Sequence, residues 1–561
     1  MELQRSAGIL LHPVSLPGSP GTGEIGRHAY RFVDFLAESG ATLWQILPLG
    51  PTGHGNSPYT AISSFGGNPL LIALDLLEQR GLLPAGTVDD HPDFPVDRID
   101  YDRVIAWKEP LLRQAARTYL ASPAMAEGRA IRWNDATGGD KGAAGTGGAA
   151  GKAPDFDEFC SREAYWLEDY ALFVAAKRHF DAQAAAEGAA AAGRAAADET
   201  GGEAQQAPDS RWNLYWPKKL ALRDPDGLEK WRIFFAEEIE IEKVLQYFFF
   251  TQWAELKRYA NARGIRLFGD IPIFVAPDSA DVWSRPELFL LDEENTPQAV
   301  SGVPPDYFSS TGQRWGNPLY DWERHEREDF AWWISRLRKT FELVDIVRID
   351  HFRGFEAYWE IPADSETAVV GRWVKAPGRR FFSRLREELG ELPVVAENLG
   401  VITPEVEALR RDFGLPGMLV LQFAFDPDGK GGLDTENPFL PHNHTVDAVA
   451  YTGTHDNDTS RGWYESRSED ERDVIRRYLG RPDGEVVWEL IREVFRSVSR
   501  YAVVPMQDPL ELGSESRMNT PSTVGSNWSW RMRTEHMEPG VAARLRELAR
   551  LYGRLHGRRP S

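Results

Sequence analysis

Eight short apolar segments recur along the chain, and each of them ends in polar residues. They are rich in Val, Ile, Leu and Phe on both faces, a pattern typical of parallel strands that are covered on both sides. These segments occupy residues 8–12, 42–47, 265–270, 345–350, 393–397, 418–423, 449–456 and 502–508.

Helical patterns lie between several of these segments. Ala29, Phe32, Val33 and Leu36 follow the spacing of one helix face, and Gly40 is a typical helix stop. Eight buried strands that alternate with helices predict an α/β protein with a (β/α)8 TIM barrel. A doubly wound open sheet is the alternative fold.

A (β/α)8 barrel needs about 250 residues, so a chain of 561 residues must carry large insertions, which we expect to form subdomains around the active-site mouth. We expect the barrel to be built from residues 1–70 and 226–561, and a mostly helical subdomain to be inserted at 71–225. Two stretches of this insertion, 137–154 and 182–208, are rich in Gly and Ala and are interpreted as flexible spacers.

A long connection at about 290–330 differs from these spacers because it is dense in aromatic residues, Pro and Gly. Long loops with their own apolar side chains are often binding loops. We therefore predict that this connection is a lid over the active site.

The charge and cysteine content exclude several classes of protein. The formal net charge is −21, which argues against nucleic acid or an anionic membrane as a partner. The single cysteine, Cys160, excludes a disulfide framework and a cysteine-rich metal site. Neither a leader-like pattern nor an apolar run of 18 residues occurs, so we expect a cytoplasmic protein.

Three carboxylates follow predicted strands at the end where a (β/α)8 barrel keeps its active site: Asp350, Glu397 and Asp456. Arg348 shares a strand face with Asp350 and would keep it ionised, as a nucleophile requires; a structural ion pair is the alternative. The apolar approach to Glu397 could raise its pKa for proton donation, and a strand-end salt bridge is equally compatible. Asp456 could instead be a turn residue.

Other polar residues at strand ends complete the candidate site. Asp270 is expected to form a structural pair with Arg348 or another neighbour rather than to act directly in catalysis. His12, His351 and His455 lack the spacing of a metal site, which favours hydrogen bonds to sugar hydroxyls. The nucleophile elbow and the phosphate-binding glycine motifs are absent from the sequence.

Two carboxylates on either side of one bond, with a third close by, are what cleavage of a glycosidic bond requires. Aromatic side chains in loops would stack on the faces of sugars. The candidates for this stacking are Tyr59, Tyr307, Phe308 and Trp315.

Sequence blocks spread over nearly the whole chain are specific enough to indicate a family. The blocks are GILLHP at 8–13, WQILPLGP at 44–51, NSPY at 56–59, GDIPIFVA at 269–276, the lid at 302–318, RIDHFRG at 348–354, AENLG at 396–400, THDNDT at 454–459 and RMNTP at 517–521. Together they resemble the 4-alpha-glucanotransferases, also called amylomaltases or disproportionating enzymes, of glycoside hydrolase family 77.

This resemblance implies a role for each member of the candidate site. Asp350 would be the nucleophile, Glu397 the general acid and base, and Asp456 the stabiliser of the transition state. The residues that would bind substrate are Tyr59, Asp270, Tyr307, Phe308, Trp315, Arg348, His351 and His455.

The activity implied is transfer of α-1,4-glucan segments from one maltodextrin or starch-derived chain to the 4-hydroxyl of another glucan or glucose. A retaining double displacement predicts that the two reacting carboxyl groups lie about 5–5.5 Å apart. No cofactor or metal is implied, and the oligomeric state is left open between monomer and homodimer. Two alternatives remain: an α-glucan hydrolase on the same barrel, and a non-catalytic glucan-binding protein.

Overall fold

The computed structural model describes residues 5–133, 154–197, 209–305, 309–425, 432–480, 485–523 and 525–555. Its strands in these ranges are β1 (Ser6–Leu10), β2 (Leu43–Gln45), β3 (Arg266–Pro272), β4 (Ala299–Val303), β5 (Gln313–Pro318), β6 (Ile346–Asp350), β7 (Ala357–Pro362), β8 (Arg372–Lys375), β9 (Val394–Ala396), β10 (Gly417–Val420), β11 (Ala448–Tyr451) and β12 (Tyr501–Pro505).

The helices fall into three groups along the chain. The N-terminal part and the insertion contain α1 (Arg27–Glu38), α2 (Leu74–Gln79), α3 (Tyr101–Leu120), α4 (Pro123–Ala126), α5 (Phe156–Ala197), α6 (Trp212–Tyr215), α7 (Lys218–Ala221) and α8 (Pro225–Phe234). The middle part contains α9 (Ala236–Ala262), α10 (Ala280–Ser284), α11 (Trp322–Arg327), α12 (Ala331–Leu343), α13 (Gly378–Leu389) and α14 (Pro404–Asp412). The C-terminal part contains α15 (Ser460–Glu465), α16 (Glu469–Leu479), α17 (Val486–Arg496) and α18 (Pro539–Leu551). None of the helices in the described ranges is long and apolar enough to cross a membrane.

Eight of the strands form one parallel sheet that curls into a barrel. Their order is β10–β11–β12–β1–β2–β3–β6–β9, so the first strand pairs with the last strand, with Ser6 opposite Tyr501. The amide of Ala396 donates to the carbonyl of Pro416 at 2.8 Å, which links β9 to the start of β10 and closes the ring. All eight segments predicted as strands belong to this sheet. The predicted (β/α)8 barrel is confirmed, and the open-sheet alternative is wrong.

The barrel strands are apolar on both faces because each face packs against a different core. One face points into the barrel, where Leu10, Leu43 and Phe268 belong to an interior cluster. The other face packs against the surrounding helices, as Ile9 and Trp44 do. Alternating side chains of a buried strand thus fill two separate cores.

Helix α1 shows how the local pattern sets an element. It carries the predicted apolar face, whose members Ala29, Phe32, Val33 and Leu36 are all buried, and it ends at Glu38, two residues before Gly40. Gly40 has a φ of +73°, a conformation that residues with a side chain rarely adopt, so the glycine allows the chain to leave the helix for β2.

The region between β2 and β3 contains helices α2 to α9 in the described residues. Helices α3 and α5 both pack against α9, and a buried ion pair between Arg113 and Glu242 joins α3 to α9. A second buried ion pair, between Glu163 and Lys339, joins α5 to α12. Most of the Gly/Ala-rich stretch at 137–154 lies outside the described residues. The stretch at 182–208 continues α5 as far as Ala197, and its remainder is also outside them. The predicted boundaries at residues 70 and 226 stay a prediction.

The connection predicted as a long loop at about 290–330 contains regular structure. Strands β4 and β5 pair antiparallel, and together with β7 and β8 they form a second sheet in the order β5–β4–β7–β8. The loop interpretation is therefore wrong for these two strands, because β4 pairs with β5 on one side and with β7 on the other. The prediction that this connection is a lid stays a prediction. Gly312, at a φ of +65°, lies directly before β5.

Candidate active site

The C-terminal ends of the barrel strands carry the three acidic residues selected from the sequence. Asp350 is the last residue of β6, Glu397 directly follows β9, and Asp456 lies in the segment after β11. Because the barrel strands are parallel, these ends lie at one mouth of the barrel, the end at which (β/α)8 enzymes keep their active sites.

Arg348 joins two carboxylates of neighbouring strands. Its Nη1 donates to Oδ2 of Asp270 and its Nη2 donates to Oδ1 of Asp350, both at 2.6 Å. The register places Asp270 directly opposite Arg348. Burial alone would lower the pKa of Arg348, but the charges of the two carboxylates raise it well above its ordinary value. The guanidinium is therefore a permanent cation that fixes the orientation of Asp350.

Asp270 is buried on the inner side of this ion pair. The hydroxyl of Tyr59 donates at 2.8 Å to the same oxygen of Asp270 that Arg348 contacts. Burial raises the pKa of Asp270 to about 6, although the charge of Arg348 opposes this rise. The pairing of Asp270 with Arg348 expected from the sequence is present.

Glu397 is held by backbone amides on both of its carboxylate oxygens. The amide of His351 donates to Oε2 at 2.8 Å, and the amide of Leu399 donates to Oε1 at 2.7 Å. His351 directly follows Asp350, and its left-handed φ of 52° turns the chain at the end of β6. Left-handed backbone outside glycine is strained and concentrates at functional sites. The contact ties Glu397 to the residue next to Asp350.

The electrostatic environment of Glu397 favours its neutral form. Burial, followed by the negative charge of Asp350, raises the pKa of Glu397 to about 7, while Arg348 and the two amides oppose the rise. A carboxyl group with this pKa can both donate and accept a proton near neutral pH.

Asp456 lies in the opposite environment. Asn519 donates to its Oδ1 at 2.6 Å, and Nε2 of His455 lies 3.3 Å from its Oδ2. Desolvation alone would raise the pKa of Asp456, but the charge of His455 and the hydrogen bonds from His455 and Asn519 lower it below its ordinary value. Asp456 is thus an anion at neutral pH, whereas Glu397 titrates there. Carboxyl groups whose pKa values are separated in this way are typical of sites in which each carboxyl group has a different role.

Aromatic rings and histidines line the same mouth. Tyr59 stacks on His455 with ring centroids 5.0 Å apart, and Trp528 packs against both rings. Trp315, on β5, meets His351 edge to face at 4.8 Å and keeps 39% of its surface exposed. Burial lowers the pKa of His351 to about 4, so its imidazole is neutral at pH 7.

Most of the residues selected from the sequence come together at this mouth. Contacts connect Tyr59, Asp270, Arg348, Asp350 and His455 in one network, and Glu397, His351 and Trp315 adjoin it. Tyr307 and Phe308 lie outside the described residues.

Two residues at the site carried no role in the sequence-based prediction. Asn519 donates to the carboxylate of Asp456, and Arg517 donates to the backbone carbonyl of Asp456 at 2.5 Å. They lie well beyond the end of β12, and the search for polar residues at strand ends therefore missed them. Their one sequence signal was the RMNTP block at 517–521.

A metal site is not apparent among these acidic and histidine side chains. In the part of the chain that the structure describes, no group of three or more His, Cys, Asp or Glu residues is arranged to hold a metal ion.

A (β/α)8 barrel with an oriented carboxylate, a titrating carboxyl group and a third carboxylate at one mouth is the arrangement that enzymes of glycosidic bond cleavage use. The comparison with known families agrees with this class. The chain belongs to the 4-alpha-glucanotransferase family, whose model matches residues 11–536.

Relatives in this family match the chain over nearly its full length. The chain is 49% identical to a 4-alpha-glucanotransferase of Thermus thermophilus, with 99% of this chain and 100% of the relative covered. It is 45% identical to a 4-alpha-glucanotransferase of a Synechocystis species, with 98% of each covered. Among solved structures, the amylomaltase of Streptococcus agalactiae in complex with acarbose has a TM-score of 0.85 and 36% identity, with 99% of this chain and 100% of that chain covered.

Proposed function

We propose that this protein transfers α-1,4-glucan segments from one maltodextrin or starch-derived chain to the 4-hydroxyl of another glucan or of glucose. Its family and the names of its relatives support this activity. The observation that carries the proposal is the pairing of a guanidinium-bound carboxylate, Asp350, with a carboxyl group of raised pKa, Glu397, through the amide of His351.

The first step breaks the glycosidic bond of the donor. Glu397 protonates the glycosidic oxygen while Asp350 attacks the anomeric carbon, which forms a covalent glycosyl-enzyme and releases the leaving chain. Arg348 suits this step because it keeps one oxygen of Asp350 occupied and leaves the other free to attack. The amides that hold Glu397 orient its carboxyl group, and its pKa stays raised although they oppose the rise.

The second step transfers the glycosyl group. Glu397, now a carboxylate, takes the proton from the 4-hydroxyl of an acceptor sugar. That oxygen attacks the anomeric carbon from the side that the leaving group vacated, and the bond to Asp350 breaks and releases its carboxylate. Two inversions restore the α configuration. Asp456, which remains an anion, stabilises the positive charge that develops on the sugar ring in both steps.

The remaining residues of the mouth are proposed to bind the sugar at the point of cleavage. Tyr59, Asp270, His351 and His455 offer hydroxyl, carboxylate and imidazole groups, and Trp315 offers an exposed ring for stacking. Tyr307 and Phe308 are proposed to belong to the same lid on the strength of the sequence alone. A cytoplasmic location is proposed with this function, since one thiol suits a reducing compartment.

Maltotriose as the only substrate tests the proposal. Transfer converts it to glucose and a ladder of longer maltodextrins while the number of reducing ends stays constant. Products that only shorten, with reducing ends that rise, would show a hydrolase instead. Retention of the α configuration is read by proton NMR of the first products.

Two variants separate catalysis from binding. Asp350→Asn and Glu397→Gln are expected to lose activity, the second by about 10²–10⁴-fold, because general acid catalysis contributes that much. Glu405→Gln, which removes an exposed carboxylate at the start of α14, is the matched control and should keep full activity. A protein whose function survived both active-site changes would be a glucan-binding protein.

A further inference from the structure

The segment that carries His455 and Asp456 is tied at both of its ends to one buried carboxylate. It begins at Thr452, directly after β11, and ends at Ser460, the first residue of α15. Oδ2 of Asp508 accepts hydrogen bonds from Oγ1 of Thr452 at 2.6 Å and from Oγ of Ser460 at 2.7 Å. Oδ1 of Asp508 accepts from the amide of Ser460 at 2.8 Å. A single side chain thus joins the two ends of the segment.

This junction is buried and its donors are neutral. Asp508 and Thr452 are each 1% exposed, and Ser460 is fully buried. The recorded donors are two hydroxyl groups and one amide, and burial raises the pKa of Asp508 even though these hydrogen bonds oppose the rise. A buried polar group that loses its hydrogen-bond partner destabilises the folded state. The hydrogen bonds to Asp508 therefore hold both ends of the segment in place.

The chain that follows Asp508 contacts the same segment at further points. Ser514 donates to Oδ2 of Asp458 at 2.7 Å, Arg517 donates to the carbonyl of Asp456, and Asn519 donates to the carboxylate of Asp456. Gln507 donates to the carbonyl of Ser516 at 3.1 Å, which fixes the path of this second segment. The segment that begins at Asp508 therefore contacts the loop of Asp456 along its length and reaches the carboxylate of Asp456 through Asn519.

We propose that Asp508 is a positioning residue for Asp456, which it places in the barrel mouth through Thr452 and Ser460. The proposal rests on the role of Asp456 in the proposed function. Asp508 does not contact the sugar. It sets the position of a group that must meet the developing charge, and supporting groups have to hold such side chains to within about 0.5 Å.

Single hydrogen bonds of this junction can be removed with little change of shape. Thr452→Val and Ser460→Ala each delete one hydroxyl donor to Asp508. Each is expected to lower kcat on maltotriose by about tenfold with KM changed less than about twofold, because a stabiliser of the transition state acts on kcat. Ser466→Ala is the matched control, since it deletes a hydroxyl bond to the carbonyl of Trp463 in the same helix and should leave kcat unchanged.

A coupling experiment separates positioning from general stability. In an Asp456→Asn background, Thr452→Val and Asp508→Asn are expected to lower the residual kcat by less than about twofold, because residues that act through one group are not additive. Thermal unfolding of every variant is measured alongside. Effects that multiply undiminished in the Asp456→Asn background, or that follow the loss of folded protein, would overturn the proposal.

The outcome for the proposed function is read independently in this experiment. If the wild-type protein hydrolyses maltotriose without forming longer products, the transfer reaction is refuted. The coupling between Asp508 and Asp456 is then measured on the hydrolysis rate, where it stands or falls by the same criterion.

Discussion

Arg348 and Asp350 lie on the same face of β6 and form an ion pair, with 2.6 Å between Nη2 of Arg348 and Oδ1 of Asp350. The second arm of the same guanidinium holds Asp270 on the neighbouring strand at an equal distance. One rigid side chain therefore couples a buried carboxylate to the carboxylate at the mouth. This relationship leads to the first prediction.

Arg348→Lys is expected to lower kcat on maltotriose by about 10–100-fold. An ammonium group cannot present two planar donors to carboxylates on different strands, so Asp350 loses its fixed orientation while a positive charge remains. Initial rates at saturating maltotriose measure the effect. Arg372→Lys is the control, because Arg372 pairs with Glu360 on the exposed edge of the second sheet. Equal rates for wild type and Arg348→Lys would show that charge alone matters.

The pH dependence of the reaction should report Glu397. Its pKa is raised to about 7, and bond cleavage needs its protonated form, so kcat/KM should fall about tenfold per pH unit above pH 7. The charge of Asp350 contributes to this raised pKa. In Asp350→Asn, the pKa of Glu397 should therefore decrease, which carbon NMR of labelled glutamate can measure. A pKa of Glu397 that stays the same in this variant would contradict the electrostatic link between the two residues.

Asn519→Ala is expected to lower kcat by about tenfold with a smaller change in KM. Hydrogen bonds to charged groups contribute about 1.5–3 kcal/mol, and this bond of 2.6 Å helps to keep Asp456 ionised and oriented. Asn213→Ala, which removes the hydrogen bond from the side-chain amide of Asn213 in α6 to the carbonyl of Asn295, serves as the control. The steady-state constants of both variants give the answer, and an unchanged kcat for Asn519→Ala would argue against a role of Asp456 in the transition state.

Acid should destabilise the protein through its buried histidines. His325 is 1% exposed, and burial lowers its pKa to about 4, whereas an unfolded histidine titrates near 6.5. Between pH 6.5 and 4 the unfolded state therefore binds a proton that the folded state does not. Stability is complete above pH 6.5 and falls by about 1.4 kcal/mol per pH unit below it from this residue alone.

His325→Phe tests this linkage away from the active site. The ring of His325 packs against Tyr320, Trp322 and Trp332, so a phenyl ring suits the position. The decrease in melting temperature from pH 7 to pH 4.5 should be smaller for the variant than for the wild type. An identical pH dependence of the two proteins would show that His325 takes up its proton at the same pH in the folded and in the unfolded state.

The strands and their terminal carboxylates could be predicted because their signals are local. A parallel strand that is buried on both faces appears as a continuous apolar run, and the polar residue that ends the run marks the barrel mouth, as with Asp350 and Glu397. Even the contact between Asp270 and Arg348 followed from two strand ends that are neighbours in the barrel.

The second sheet and the partners of Asp456 could not be predicted in the same way. Strand β5 contains Gly316 and Pro318, which resemble loop residues, and it becomes a strand only because β4 supplies hydrogen-bond partners. Asn519 reaches Asp456 from a segment beyond the last strand, and Asp508 reaches Thr452 from just after that strand. Such contacts depend on how loops fold back over the barrel, which short-range patterns do not contain.

The pairing of β1 with β12 has a consequence for how the protein folds during its synthesis. During synthesis, the first strand emerges from the ribosome long before the strand that completes its hydrogen bonding, so one of its edges stays open. Arg554 reinforces the same seam, because its guanidinium donates to the carbonyls of Ser6 and Arg500. The ring can close only after translation has passed these late residues, and the nascent chain must be kept from aggregating until then.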